Sequence, residues 1–186
     1  MRRAMITAVA ALGLAAVATP ADAQVRFGGG IGLSAPSGDL ADFTSTGWHG
    51  MLSLAVQPTG VPFGLRFDGV YHTFDFDEDE VSVDGSVRLL GGQANLMFVL
   101  APASELRPYL SAGVGVYNAK AEFDDDILFP GDDEDSETKF GLNGGVGIQA
   151  ALTGFTMFAE VRYLSIFTSD TNTNLIPVTI GILIGR

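Results

Sequence analysis

Carboxylates supply the densest chemistry in this chain. Residues 75–84 hold Asp75, Asp77, Glu78, Asp79, Glu80 and Asp84. Residues 122–137 hold Glu122, Asp124, Asp125, Asp126, Asp132, Asp133, Glu134, Asp135 and Glu137. These are fifteen of the twenty-two acidic residues, and neither block contains a Lys or Arg. Oxygen ligands at that density suit hard divalent cations such as calcium or magnesium. Asp75, Asp77 and Asp79 open like a calcium loop and are the weak metal candidates. Glu80, however, stands where the loop needs a glycine, and Ser86 stands where the closing glutamate belongs. The plainer reading is of solvated acidic loops that repel one another and collect divalent cations only loosely.

Nucleophilic chemistry has less to work with. The two histidines are His49 and His72, and Ser45 is close to the first in sequence. A serine nucleophile needs a base within hydrogen-bond reach and a third group to orient that base. The chain has no His-x-Ser pair and no Gly-x-Ser-x-Gly elbow, so no catalytic residue is expected. The absence of cysteine excludes disulfides and thiolate metal sites. A net charge of −12 excludes a nucleic-acid partner, which would need clustered Lys and Arg. Nothing in the sequence suggests a nucleotide site or a redox centre, and no cofactor is expected.

The elements that carry these residues announce themselves by period. In FTMFAEVRYLSIF (155–167), Glu160 and Arg162 are two apart and share one face of a strand, opposite Met157, Ala159, Val161 and Tyr163. The same alternation recurs over 24–34, 48–57, 63–74, 86–100, 108–120, 139–152, 155–167 and 176–186. Long connections (35–47, 75–85, 121–138, 168–175) alternate with short ones (58–62, 101–107, 153–154). That order predicts an up-and-down antiparallel sheet whose two ends differ in kind. Part of a long connection extending one hairpin would raise the count from eight strands to ten.

Each segment has one bulky apolar face and one face of glycines and polar residues. Eight strands close around a space only just wide enough for side chains. The bulky face would overfill that space, whereas the glycine-rich face would fit it. As a water-facing surface the polar face is also poor. Its mid-strand charges are few, against the roughly 25–35% charged content of a well-solvated surface. The apolar face therefore points outward into lipid, and the fold expected is all-β, an eight-stranded antiparallel up-and-down transmembrane β-barrel. Arg26, Arg66, Asp68, Gln93, Asn95, Asn143, Gln149, Glu160 and Arg162 are expected inside as a polar network, with one positive charge in excess. Trp48, Tyr71, Phe140, Tyr163 and Phe167 fall near the long-loop ends, and Phe27, Phe63, Phe98 and Phe155 near the short-turn ends. They are expected to form two aromatic girdles.

The first 23 residues are different. Arg2 and Arg3 precede an uncharged, Ala-rich run from Ala4 to Thr19, and Ala21-Asp22-Ala23 is a small-x-small site. This is the order of a cleaved secretory signal peptide over residues 1–23, which leaves residues 24–186 as the barrel domain.

RPYLSAGVGVY (107–117), GLNGGVGIQ (141–149) and FAEVRY (158–163) carry a resemblance to the small outer-membrane β-barrel superfamily, the group that contains the outer-membrane protein A barrel. The likeness runs over the whole chain after Gln24. It implies Sec-type signal cleavage, insertion into the outer membrane, both termini in the periplasm, long loops outside the cell, and interior salt bridges in place of an open pore. That family usually closes on an aromatic residue, whereas this chain ends ILIGR. The function expected is non-enzymatic: envelope integrity, surface adhesion or ligand contact through acidic outer loops. The protein would act as a monomer, with outer-membrane lipid and lipopolysaccharide as partners and divalent cations bridging loop carboxylates to phosphates. The alternatives are a narrow channel for small or apolar solutes and, less in keeping with the motifs, an acyl hydrolase or transferase acting on lipid A.

Overall fold

The computed structural model describes residues 23–37, 45–75, 85–123, 137–168 and 172–185. Alternation of bulky and small residues becomes eight strands: β1 (Ala23–Ser37), β2 (Gly47–Pro58), β3 (Phe63–Asp75), β4 (Gly85–Val99), β5 (Leu106–Phe123), β6 (Glu137–Leu152), β7 (Phe155–Ile166) and β8 (Thr173–Gly185). Each pairs antiparallel with its sequence neighbours. β1 closes on β8, with Ile31 opposite Ile180 and Leu33 opposite Val178. Closure leaves no free sheet edge, which a strand surrounded by hydrocarbon requires.

Tight turns occupy one end of the barrel. Gly60 at φ 82° and Gly154 at φ 90° occupy backbone conformations that a side chain would strain. The strand ends that lead into the long connections lie at the other end. The acidic residues 76–84 and 124–136 lie outside the described residues, as do residues 1–22. The metal candidates Asp77 and Asp79 therefore fall outside the description, and Asp75 ends β3 with only its backbone described.

Several strands run further toward that end than the hydrophobic pattern does. β5 reaches Phe123 and β6 starts at Glu137, so the first and last residues of the second acidic block join the ladder through their backbones. Glu122 lies opposite Ser86, and Glu137 opposite Ala119. β8 starts at Thr173, three residues before the predicted start at 176, and carries Pro177 inside it. Proline has no N–H to donate. The β7–β8 ladder is interrupted there, with paired positions at Val161↔Val178 and Leu164↔Leu175 and none between. β1 keeps pairing through this stretch, with Ser34 opposite Pro177.

The outward positions form an apolar belt in which Leu52 is 76% and Ile31 67% exposed. Trp48 tilts against Tyr71 with ring centroids 5.8 Å apart at the long-loop end, and Phe63 against Phe98 at 5.0 Å near the turns. Inside, two tyrosines lie over glycines. A Cβ at Gly115 would come within 2.5 Å of the Tyr117 hydroxyl, and one at Gly141 within 2.8 Å of its ring. Gly91 faces the same ring, and Tyr109 covers Gly147 in the same manner. Bare backbone on β4, β5 and β6 is thus the recess into which these two rings fold.

Candidate functional site

Strands β3 and β7 stand four positions apart in a ring of eight, on opposite walls. The inner face of β3 presents Arg66 and Asp68, and that of β7 presents Glu160 and Arg162. All four are buried. Arg66 Nη2 donates to both carboxylate oxygens of Glu160, at 2.8 and 2.9 Å. Arg162 Nη2 donates to Asp68 Oδ2 at 2.9 Å, the reverse pairing across the same gap. Each arginine also bonds the acid on its own strand: Arg66 Nε to Asp68 at 3.1 Å, and Arg162 Nε to Glu160. Two positive and two negative charges thus close a ring whose signs cancel.

Neutral groups complete it. Ser53 on β2 donates to Asp68 Oδ1 at 2.7 Å, and Asn95 Nδ2 on β4 donates to Asp68 Oδ2 at 2.9 Å. Arg162 Nη1 donates to Gln93 Oε1, and the Arg66 guanidinium lies 5.5 Å from the centre of the Phe158 ring. Charges withdrawn from water are tolerable only when paired and bonded in this way.

The structure places all nine interior candidates inside the barrel but does not join them into one network. Six meet in the ring and its supports: Arg66, Asp68, Gln93, Asn95, Glu160 and Arg162. Arg26 stands apart near the turn end. It donates to Thr156 Oγ1 at 3.2 Å and Gln57 Oε1 at 2.7 Å, so the excess positive charge rests on neutral oxygens. Asn143 and Gln149 on β6 stay outside the ring. Both polar atoms of Asn143 and Oε1 of Gln149 find no hydrogen-bond partner among the described residues.

A second polar cluster lies toward the long-loop end. Ser34 Oγ is 2.9 Å from His49 Nδ1 and 2.8 Å from His72 Nδ1, and His49 Nε2 is 2.8 Å from Thr179 Oγ1. The two imidazoles are 5.1 Å apart. One hydroxyl carries one proton and two lone pairs, so with both rings neutral Ser34 donates to one Nδ1 and accepts from the other, or accepts from both. Ser34 can donate to one ring at most, so at least one of the two neutral histidines carries its proton on Nδ1. Ser34, Ser53, Gln57, Thr156 and Thr179 were not among the sequence candidates. All five share the inward parity of their strands, and that signal was available. Ser45 lies outside the strands, and the serine that His49 meets is Ser34.

A buried Ser–His contact has the ingredients of a nucleophile and its base. Here the base is shared and the serine is fully buried, flanked by rings, with His72 stacked on Phe74 at 6.2 Å and 4°. Among the described residues no group of three or more His, Asp or Glu is placed to hold a metal ion. The arrangement braces the barrel and fills its lumen.

A closed eight-stranded antiparallel barrel, apolar outside and ionic within, is the build of a protein of the bacterial outer membrane. The chain belongs to the outer membrane protein beta-barrel domain family, whose model matches residues 6–182. Among solved structures it resembles Neisserial surface protein A, at 19% identity over 89% of this chain and 98% of that one, with a TM-score of 0.61. It also resembles a major outer membrane protein of Thermus thermophilus, at 12% identity over 88% and 99% with a TM-score of 0.64. A third likeness is to Ail of Yersinia pestis, solved in complex with the heparin analogue sucrose octasulfate. Its identity is 15% over 89% and 99%, with a TM-score of 0.53. At these identities the likeness shows the fold. No curated protein matches the chain.

Proposed function

We propose that this is a non-enzymatic surface protein whose barrel is a sealed pedestal and whose acidic outer loops make the contacts that matter to the envelope. The observation that carries this reading is the four-charge ring joining β3 to β7, which spends the lumen on bracing instead of passage. What is left to meet the outside is the long-loop end, where fifteen carboxylates are concentrated in 75–84 and 122–137. The heparin analogue held by the Yersinia protein is a polyanion. Loops this acidic repel such a ligand unless cations intervene. Their favoured contact is with lipopolysaccharide phosphates through calcium or magnesium, which take oxygen ligands from both sides.

The test is complementation of a deletion strain. The full chain restores resistance to detergent and to chelator. A chain whose carboxylates in 76–84 and 124–136 are replaced by Asn and Gln reaches the membrane folded and fails to restore it. Equal rescue by both would overturn the proposal.

A further inference from the structure

We propose that the long-loop mouth of the barrel is a binding pocket for a small neutral molecule whose apolar body is about one six-membered ring. The described residues enclose there a cavity of about 90 Å³. Phe74, Leu89, Tyr117, Ile166 and Leu175 are its large apolar wall residues beside Val87, contributed by five different strands. Ala119 leaves the room that a larger residue would fill. The polar members are Lys139, Thr168 and Thr173. Mostly apolar walls with a few polar groups to fix orientation are the ordinary make-up of a small-molecule site.

Size, depth and charge narrow the occupant. An enclosed apolar cavity of about 150 Å³ takes benzene. This one is smaller but only partly enclosed, so a ring enters with one end left outside. It is a blind pocket: Phe74 stacks on His72, His72 is tied through Ser34 to His49, and the Arg66–Glu160 pair lies deeper. The acidic connections 75–85 and 121–138 leave the strands that line it, which disfavours an anion. The mostly apolar wall disfavours a cation, whose lost hydration it does not replace. A neutral ligand with one hydroxyl meets neither objection and finds partners among the wall's threonines. The pocket goes beyond the surface role proposed above.

The test uses the full chain in nanodiscs with labelled Leu, Val and Ile methyls, titrated with benzyl alcohol, benzoate and benzylamine. Benzyl alcohol shifts the Leu89, Ile166 and Leu175 methyls saturably with a Kd of about 1 mM. The lipid-facing Leu52 and Ile180 methyls drift linearly, as partition into the bilayer requires. Benzoate and benzylamine bind at least about fivefold more weakly on the charge argument. Ala119→Phe, or Val87→Phe if the first variant does not fold, abolishes the saturable shifts. Pocket methyls that drift in step with Leu52, undiminished binding in a folded filled variant, or tighter binding of either charged probe would overturn the proposal.

Discussion

Arg66 and Glu160 are 94 residues apart in sequence, yet they form a two-pronged ion pair at 2.8 and 2.9 Å across the full width of the barrel. The pair does for this fold what a packed core does for a soluble one, tying wall to wall. Its partner contact, Arg162 to Asp68, runs in the opposite electrostatic sense, so neither wall carries net charge into the lumen.

Breaking the Glu160 corner of this ring leaves two buried arginines sharing the single acid Asp68. Glu160→Leu is expected to lower stability by about 3–5 kcal/mol, the usual cost of an orphaned buried charge. Arg66→Leu combined with Glu160→Leu recovers part of that loss. Urea unfolding in lipid vesicles measures each single variant, Glu160→Leu and Arg66→Leu, and the double. Additive losses would show that the two side chains do not act as a pair.

Tyr117 and Gly115 fit as ring and recess. Gly115→Val forces the ring out and is expected to cost about 1–3 kcal/mol by overpacking. Tyr117→Ala leaves a hole worth about 3–5 kcal/mol. The double variant is milder than the sum, because the valine side chain then occupies the space the ring vacated. The same unfolding series checks it, and strict additivity would contradict the contact.

Ser34 serves two imidazoles at once. Ser34→Ala strips both Nδ1 atoms of their partner, and each buried polar atom left unsatisfied costs about 1–3 kcal/mol. Nitrogen-15 chemical shifts of the ring atoms report the tautomers. They should show at least one of His49 and His72 protonated on Nδ1 in the native chain and a changed tautomer balance in the variant.

The outer surface answers to depth. Leu52→Arg, in the middle of β2, should cost about 2–4 kcal/mol in a bilayer, while Leu33→Arg near the loop end should cost about 0–1 kcal/mol. Equal penalties would contradict the lipid belt.

Much of this was legible in the sequence because side chains alternate between the two faces of a strand. Glu160 and Arg162 share parity with each other and oppose Val161, and that suffices to place one set in lipid and the other in the lumen. The volume of an eight-stranded cylinder then decides which set goes where. What parity cannot say is which residue meets which across the lumen. The pairing of Arg66 with Glu160 depends on strand register around the whole ring, so Asn143 could not be told from Asn95 by sequence alone. Strand ends were blurred for a local reason. Thr173, Asn174 and the acidic Glu122 and Glu137 lie beyond the apolar alternation, yet the backbone ladder carries on through them.

A lumen shut by its own charges passes no steady ion current, and single-molecule conductance reads this. The native chain, inserted into a planar bilayer in concentrated KCl, should show no steady unitary current, and the Arg66→Ala/Glu160→Ala variant should begin to show one. A stable open level in the native protein at modest voltage would contradict the account.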